Sequence, residues 1–196
     1  MVRFLFLRFS SIGDIVLTTP LLRCLKKQIE DSEIYFFTKK QFAGILEPNP
    51  FVDRVITLED DLSEKISFLR NSQIDYIIDL HKNIRTAIVK SKLRRMSFSF
   101  NKLNIQKWII ANLKINMLPE KHIVDRYFET LKLFDIQNDG LGLDFFIPRQ
   151  DEIQPDQLPE PFREGYIAFV IGAKHATKML PPEKIASICK QTGLPV

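Results

Sequence analysis

Apolar side chains run through the first nine residues of the chain and then give way to a short polar break. Residues 2–9 are almost all apolar or aromatic, which is typical of a buried strand. Residues 10–14, Ser-Ser-Ile-Gly-Asp, interrupt this run, and apolar positions at helical spacing begin at Ile15. The order predicts a strand that enters a helix through a short turn, the first half of a βαβ unit. In sheets built from such units, ligands bind beside the loops at the carboxyl ends of the strands.

Helical spacing continues through residues 15–29, with Pro20 inside the pattern. Because proline lacks the backbone N–H that a helix interior needs, two interpretations stay open. Either Pro20 kinks one helix, or Thr19 caps a second helix whose first position is Pro20. Cys24 falls on the apolar face of this region and is predicted to be a buried thiol.

The same alternation of strand and helix patterns continues along the chain. It predicts strands at residues 33–38, 54–58, 74–80, 96–100 and 143–147, and helices at residues 41–46, 62–69, 84–93, 105–113 and 123–134. Residues 148–161 then hold four prolines and few apolar side chains, which is typical of a linker. A strand at residues 166–171 and a helix at 183–190 follow. We therefore expect an α/β domain over residues 1–147, a linker over 148–164, and the start of a second domain over 165–196.

Composition narrows the class of protein further. The chain is 45% apolar with sixteen phenylalanines, which is ample for a folded core and argues against disorder. Its net charge of +4 is too small to demand nucleic acid but suits an acidic substrate or an anionic membrane surface. The two cysteines, Cys24 and Cys189, are far apart and fit no metal or redox spacing, so a reducing cytosol is the expected compartment. We read no signal peptide and no membrane-spanning run.

Asp14 is the first candidate for chemistry, and two interpretations of it compete. Its carboxylate either caps the following helix by accepting backbone N–H bonds, or serves as a general base at the ligand-binding edge of the sheet. A helix N-terminus lowers the pKa of a carboxyl group, which would keep Asp14 ionised. The loop lacks the G-x-G-x-x-G pattern, so it does not predict a dinucleotide site.

Four segments, in order, resemble a known family. They are residues 8–26 (RFSSIGDIVLTTPLLRCLK), 78–86 (IDLHKNIRT), 122–127 (HIVDRY) and 172–184 (GAKHATKMLPPEK). Together they resemble the ADP-heptose:lipopolysaccharide heptosyltransferases of glycosyltransferase family nine. The resemblance implies a GT-B fold, in which two Rossmann-like domains face a cleft. The acceptor then binds mostly to the first domain and the nucleotide-sugar donor mostly to the second.

The resemblance implies an inverting transfer of heptose from ADP-heptose, or a similar nucleotide sugar, to the inner core of lipopolysaccharide. Asp14 matches the family's catalytic base, and Ser10, Ser11 and Gly13 would contact the acceptor. Such a displacement needs a base on one side of the sugar and positive charge at the departing diphosphate. The resemblance implies no cofactor, and the sequence contains no cluster of residues typical of a metal site.

Lys178 is the candidate for the diphosphate, with Thr177 adding a hydroxyl and Lys174 competing for the role. The alternative is that Lys178 is a solvated loop lysine. The family usually carries an aromatic residue before the following proline, where this chain has Met179 and Leu180.

A basic stretch begins after the fourth predicted strand and has two interpretations. It comprises Lys82, Arg85, Lys90, Lys92, Arg94, Arg95, Lys102, Lys107 and Lys114. It is either a solvated helix face or a patch that holds the phosphorylated acceptor near the inner face of the inner membrane. Lys82 and Arg85, close to the end of the strand, are the acceptor-binding candidates. Trp108 either contacts lipid or a partner, or packs in the core. His81 is expected to line the cleft, without a catalytic role.

The late motif that resembles the family's nucleotide pocket does not occur before Val196. We therefore expect this chain to be inactive or very weak by itself, as a cytoplasmic protein peripheral to the inner membrane. The alternative is a non-catalytic acceptor-binding remnant or one half of a split transferase. Self-association or a missing C-terminal half would then cover the strand at residues 166–171.

Overall fold

Five parallel strands form a sheet in the first of two units. The structure, a computed structural model, describes residues 1–59, 61–173 and 176–196. The strands are β1 (Val2–Leu7), β2 (Ser32–Lys39), β3 (Arg54–Leu58), β4 (Tyr76–Asp79) and β5 (Met96–Ser99). Their order across the sheet is β3-β2-β1-β4-β5, and each neighbouring pair is parallel. Sequence order therefore reverses at β1, and the carboxyl ends of β1 and β4 lie side by side.

Helices and short 3₁₀ turns connect the strands. The α-helices are α1 (Ile12–Val16), α2 (Thr19–Gln28), α3 (Leu62–Asn71), α4 (Ile84–Leu93), α5 (Asn104–Leu113), α6 (Ile123–Phe128) and α7 (Pro182–Gln191). The 3₁₀ turns are Lys40–Ile45, Glu129–Phe134, Arg149–Asp151, Pro155–Gln157, Glu160–Phe162 and Ala176–Lys178. The bounds of β3 and α4 are those that the sequence predicts. The helix predicted over residues 123–134 is instead α6 followed by a 3₁₀ turn.

The two-residue period of the strands divides the core into two clusters. Phe4, Phe6 and Phe36 point to one face, where they pack with residues of α2 and α6. Leu5 and Phe37 point to the other face, where they pack with residues of α3 and α4. Because both faces of the sheet are covered, the strands read as continuous apolar runs rather than as alternating ones. The predicted α/β class, a parallel sheet flanked by helices, is confirmed.

Pro20 lies in the first turn of a second helix. The chain leaves α1 after Val16, and Thr18 is the N-cap of α2. The interpretation that Pro20 lies at the start of a second helix is therefore confirmed. The N-cap is Thr18 rather than Thr19, and Thr19 rather than Pro20 is the first helical residue. Pro20 fits there because the first-turn N–H groups of a helix have no partner within it. Cys24 is buried, as predicted, and burial raises the pKa of its thiol.

The strand predicted at residues 143–147 is wrong. The structure describes all five residues and assigns no strand to them. Residues 139–144 are held instead by Arg23, a buried side chain of α2. Its Nε and Nη2 atoms donate to the carboxylate of Asp139 at 2.8 Å each, and its Nη1 donates to Asp144. Side-chain bonds therefore fix this chain where the sequence pattern predicted a strand ladder.

The second unit comprises residues Ile147–Val196, against Met1–Phe146 for the first. The strand predicted at residues 166–171 is also wrong, since the structure describes these residues and assigns no strand to them. A strand needs a paired neighbour, and no strand is assigned among the described residues of this unit. The helix predicted at 183–190 is present as α7. In the described part of the chain, no helix is long and apolar enough to span a bilayer.

Candidate functional site at the carboxyl edge of the sheet

The segments after β1, β4 and β5 meet α5 and α6 around a pocket of about 320 Å³. It is lined by Arg8, Asp14, His81, Phe100, Lys102, Lys107, Ile123, Arg126 and Tyr127. These segments converge because parallel strands all end at the same edge of the sheet. Five cationic or imidazole side chains share this pocket with one carboxylate, Asp14. The pocket is therefore suited to an anionic or hydroxyl-rich ligand.

Arg8 is the buried centre of this site. It follows β1 directly, and its Nε atom donates to the carbonyl oxygen of Ser10 at 2.6 Å. One Nη atom donates to the carbonyl oxygen of Leu80, at the end of β4, and the other pairs with the carboxylate of Asp14. A single guanidinium thus joins the loops after β1 and β4 and holds Asp14 beside them. Its planar group of five N–H donors makes several fixed bonds of this kind at once.

Asp14 is the third residue of α1, and Ser11 is the N-cap. The carboxylate accepts a bond from the backbone N–H of Ser11 at 3.2 Å and from its hydroxyl at 3.1 Å. It therefore stabilises the helix start, as the capping interpretation expects, although from inside the helix rather than from the cap position. Its side chain is still 39% exposed, so one side of the carboxylate remains open to the pocket.

Asp14 is ionised at neutral pH. Partial burial works to raise its pKa, but the charge of Arg8 and the bonds from Ser11 outweigh burial and lower that pKa below the ordinary value. A carboxylate of this kind holds a hydroxyl by accepting its hydrogen bond. It takes the proton only as the hydroxyl oxygen loses electron density to a bond that is forming.

His81 lines the same pocket. Its ring packs edge to face on Phe9, with 5.6 Å between the ring centroids. The Nδ1 atom is buried and finds no hydrogen-bond partner among the described residues. Burial first, and the charges of Arg8 and Lys102 second, lower its pKa to about 4. His81 is therefore neutral near pH 7, which suits a residue that lines a site without adding charge.

We expect the neutral His81 to make the protein acid-sensitive in a defined pH window. In the unfolded chain, His81 has a pKa near 6.5 and binds a proton below that pH. In the folded protein it binds this proton only near pH 4, so the free energy of unfolding falls as the pH drops across this range. The loss is about 2 kcal/mol between roughly pH 7.5 and pH 5. Urea denaturation of the wild-type protein and of His81→Asn at both pH values measures it. An equal loss in both proteins would contradict the assignment.

The two acceptor-binding candidates after β4 are exposed, and one of them lines a different pocket. Lys82 donates its backbone N–H to the buried carboxylate of Asp79 at 2.7 Å, and Lys90 pairs with the same carboxylate at 2.8 Å. Arg85 lines a separate pocket of about 590 Å³ at the carboxyl ends of β2 and β3, beside Lys39 and Lys40. The structure thus brings Asp14 together with Lys102 and Lys107 of the basic stretch, and it places Arg85 elsewhere along the same edge.

The remaining first-unit candidates lie in the loop itself. Ser10 is half-buried and binds Arg8 through its carbonyl, and Ser11 is exposed and binds Asp14. A side-chain carbon built on Gly13 would meet nothing within 4 Å, so the packing of the protein does not demand glycine there. Space above this part of α1 is open to a ligand.

In the second unit, Thr177 and Lys178 lie in the short 3₁₀ turn Ala176–Lys178, and both side chains are exposed. Lys174, the competing candidate for the diphosphate, lies outside the described residues. Among the residues that the structure describes, no three His, Cys, Asp or Glu side chains cluster as a metal site would require.

Sequence reasoning missed Arg8, Arg126 and Tyr127. Arg8 had a visible signal, since a charged residue inside an apolar strand run must find partners when buried. Tyr127 is fully buried against Phe100, with ring centroids 5.0 Å apart, and burial raises the pKa of its phenol. Its helical spacing is that of any core residue, and the sequence signal that could have found it is its place at the end of the family-like segment at residues 122–127.

Comparison with curated proteins finds one similar in sequence along nearly the whole chain. The chain is 25% identical over 200 residues to lipopolysaccharide heptosyltransferase 1 of Campylobacter coli. The alignment covers 94% of this chain and 58% of that protein, so the chain spans somewhat more than half the length of its relative. No protein-family model matches. The family resemblance of the sequence motifs is confirmed by this relative.

Comparison with solved structures shows the same fold. A family 9 glycosyl transferase from Veillonella parvula matches with a TM-score of 0.69 at 22% identity, over 96% of this chain and 59% of that one. The E. coli heptosyltransferase WaaC with ADP matches with a TM-score of 0.65 at 20% identity, over 98% of this chain and 66% of that one. The E. coli ADP-heptose heptosyltransferase II matches with a TM-score of 0.53 at 17% identity, over 98% and 51%.

Proposed function

We propose that this chain, which resembles the heptosyltransferases of glycosyltransferase family nine in sequence and in fold, takes part in the inverting transfer of heptose from ADP-heptose to the inner core of lipopolysaccharide. The observation that carries the proposal is the position of Asp14. An ionised, half-open carboxylate lies in a basic pocket at the ligand-binding edge of the sheet. It belongs to the segment that carries the first of the four family-like motifs.

On the acceptor side, Asp14 accepts a hydrogen bond from a sugar hydroxyl and takes its proton as that oxygen attacks the anomeric carbon of the donor. Attack inverts the configuration at that carbon, and the bond to the diphosphate breaks as the new bond forms. Arg8 keeps the carboxylate in one position, so that the reacting oxygen is aligned before attack. Ser10, Ser11 and Gly13 form the loop against which the acceptor sugar lies.

Positive charge around the acceptor is the second part of the proposal. Lys102, Lys107 and Arg126 line the pocket that contains Asp14, and Lys82 and Arg85 lie further along the same edge of the sheet. Acidic and phosphorylated groups of an inner core would be held by these cations while a neutral hydroxyl is presented to Asp14. Because the acceptor is a membrane lipid, the reaction would take place at the inner face of the inner membrane.

On the donor side, Lys178 would balance the charge of the departing diphosphate and Thr177 would donate a hydroxyl bond to it. Lys174, four positions earlier in the sequence, is the competing lysine. A lysine and backbone N–H groups can stabilise a nucleoside diphosphate as it leaves.

The test is a titration of the chain with ADP, followed by calorimetry. We expect saturable binding that Lys178→Ala weakens about tenfold or more, because a charge-assisted bond to phosphate is lost. Lys190→Ala, which removes an exposed lysine from the last turn of α7, is the matched control and should bind ADP as the wild-type chain does. If ADP fails to bind while a phosphorylated core oligosaccharide binds, the chain is an acceptor-binding module and the donor part of the proposal is wrong.

A further inference from the structure

Helix α5 presents an apolar face to solvent. None of its ten residues, all of which the structure describes, is buried. Ile105, Trp108 and Leu113 are 74%, 60% and 56% exposed. They follow the spacing of a single helix face, with the half-buried Ile109 between them. A contiguous stripe of exposed apolar side chains is typical of an interaction surface.

The apolar surface continues past the end of the helix. Ile115 and Met117 are both exposed, and they follow Lys114 at the C-terminal end of α5. We call residues 105–117 the α5 segment. Lys107, which helical spacing puts on the side of α5 opposite Ile105 and Ile109, lines the pocket that contains Asp14. One face of α5 therefore belongs to the candidate site while the other is turned away from it.

The charge around the α5 segment is of one sign. Residues 80–119 contain nine lysines and arginines and no aspartate or glutamate. Since the whole chain carries +4, the remaining residues together carry −5. The positive charge of this protein is thus concentrated in one forty-residue stretch that contains the exposed apolar stripe. An uncharged protein partner would not require this separation of charge, whereas a negatively charged surface complements it.

We propose that the α5 segment docks onto the surface of an anionic lipid bilayer, with Trp108 and Ile105 inserted at the level of the headgroups and the surrounding lysines against lipid phosphates. A ten-residue helix is too short to span a bilayer, so it lies in the plane of the interface. Tryptophan favours this depth, and the long stem of Lys114 can reach the headgroups. The identity of the membrane rests on the proposed function, because the acceptor is a lipid of the inner membrane. Docking would then bring that lipid to the edge of the pocket.

Trp108 reports on this proposal directly because it is the only tryptophan in the sequence. The chain is mixed with vesicles of phosphatidylglycerol and phosphatidylethanolamine, or with vesicles of phosphatidylcholine alone. We expect a blue shift of tryptophan emission and co-flotation with the anionic vesicles. Both signals should weaken as salt is raised, because added ions screen the attraction between lysines and phosphates.

The variant Ile105→Gln/Leu113→Gln tests the apolar face and keeps the reporter. Both side chains are exposed, so the fold should be retained, and we expect partitioning to the anionic vesicles to fall about tenfold or more. Leu133→Gln is the matched control, since Leu133 is an exposed leucine outside the basic stretch. It should partition as the wild-type chain does. Lys114→Glu should weaken partitioning without removing any apolar group.

Two results would overturn the proposal. One is the absence of a blue shift and of flotation with anionic vesicles. The other is a blue shift that grows with protein concentration in the absence of vesicles, which would assign the α5 segment to contact with a second copy. The assay contains neither donor nor acceptor, so loss of vesicle binding and loss of transfer activity are separate outcomes.

Discussion

Replacing Asp14 with asparagine is expected to lower the rate of heptose transfer by about 10² to 10⁴-fold, the usual contribution of a positioned general base. Asparagine has nearly the same shape and can still accept a bond from Ser11, but it cannot take a proton from the acceptor. The rate of transfer is measured with the natural protein that contains this sequence. The affinity for ADP should change little, because the substitution lies on the acceptor side of the proposed reaction.

Asp53→Asn is the control for this variant. Asp53 is also a partly exposed carboxylate, with Lys26 as its partner at 2.7 Å, and it lies away from the pocket around Asp14. Its replacement should leave the rate of transfer unchanged. Asp14→Asn also removes the charged partner of Arg8, so the free energy of unfolding is measured for both variants. If Asp14→Asn is folded and retains full turnover, Asp14 serves only the start of α1.

Replacing Arg23 with methionine is expected to cost about 3 kcal/mol in the free energy of unfolding, because removal of one partner leaves the other charges of a largely buried network uncompensated. Asp139 and Asp144 are both partly buried, and Arg23 also donates to the carbonyl of Gly142 at 2.9 Å. Urea denaturation at neutral pH measures the loss. Lys121→Met breaks a half-exposed pair with Glu129 and should cost less than about 1 kcal/mol.

The difference between wild type and Arg23→Met should shrink in acid. The hydrogen bonds from Arg23, above all, hold the pKa of Asp139 below its ordinary value. The stabilisation is complete above the unfolded pKa near 4 and is lost as the pH falls through the lower folded value. Measurements at about pH 7 and about pH 3 test the sign. A difference of the same size at both pH values would show that the pair contributes through packing rather than charge.

The sheet could be predicted from the sequence because each buried strand is a short apolar run between breaks. The bounds of β3 and α4 follow directly from these runs. Residues 143–147 also form a short run rich in apolar residues, yet they form no strand. Arg23 holds residues 139–144 through its bonds to Asp139 and Asp144, which are 116 and 121 positions away. A local sequence pattern does not identify a partner at that distance.

The candidate site could be predicted in part for the same reason. The position of Asp14 at the edge of the sheet follows from the order of strand, break and helix. Its pairing with Arg8 does not, because Arg8 is one charge within an apolar run. The carbonyl of Leu80, to which Arg8 donates, is 72 positions further along the chain. The exposure of Trp108 could not be predicted either. A helix that packs on the sheet and a helix that does not can show the same spacing of apolar residues.

The two clusters on the faces of the sheet draw all their members, among the residues that the structure describes, from the first 136 positions. The free energy that maintains the Arg8–Asp14 arrangement is therefore generated within the first unit. Substitutions beyond residue 147 can accumulate without loosening that core. Evolution can accordingly change the sequence of the second unit while the first unit keeps its shape.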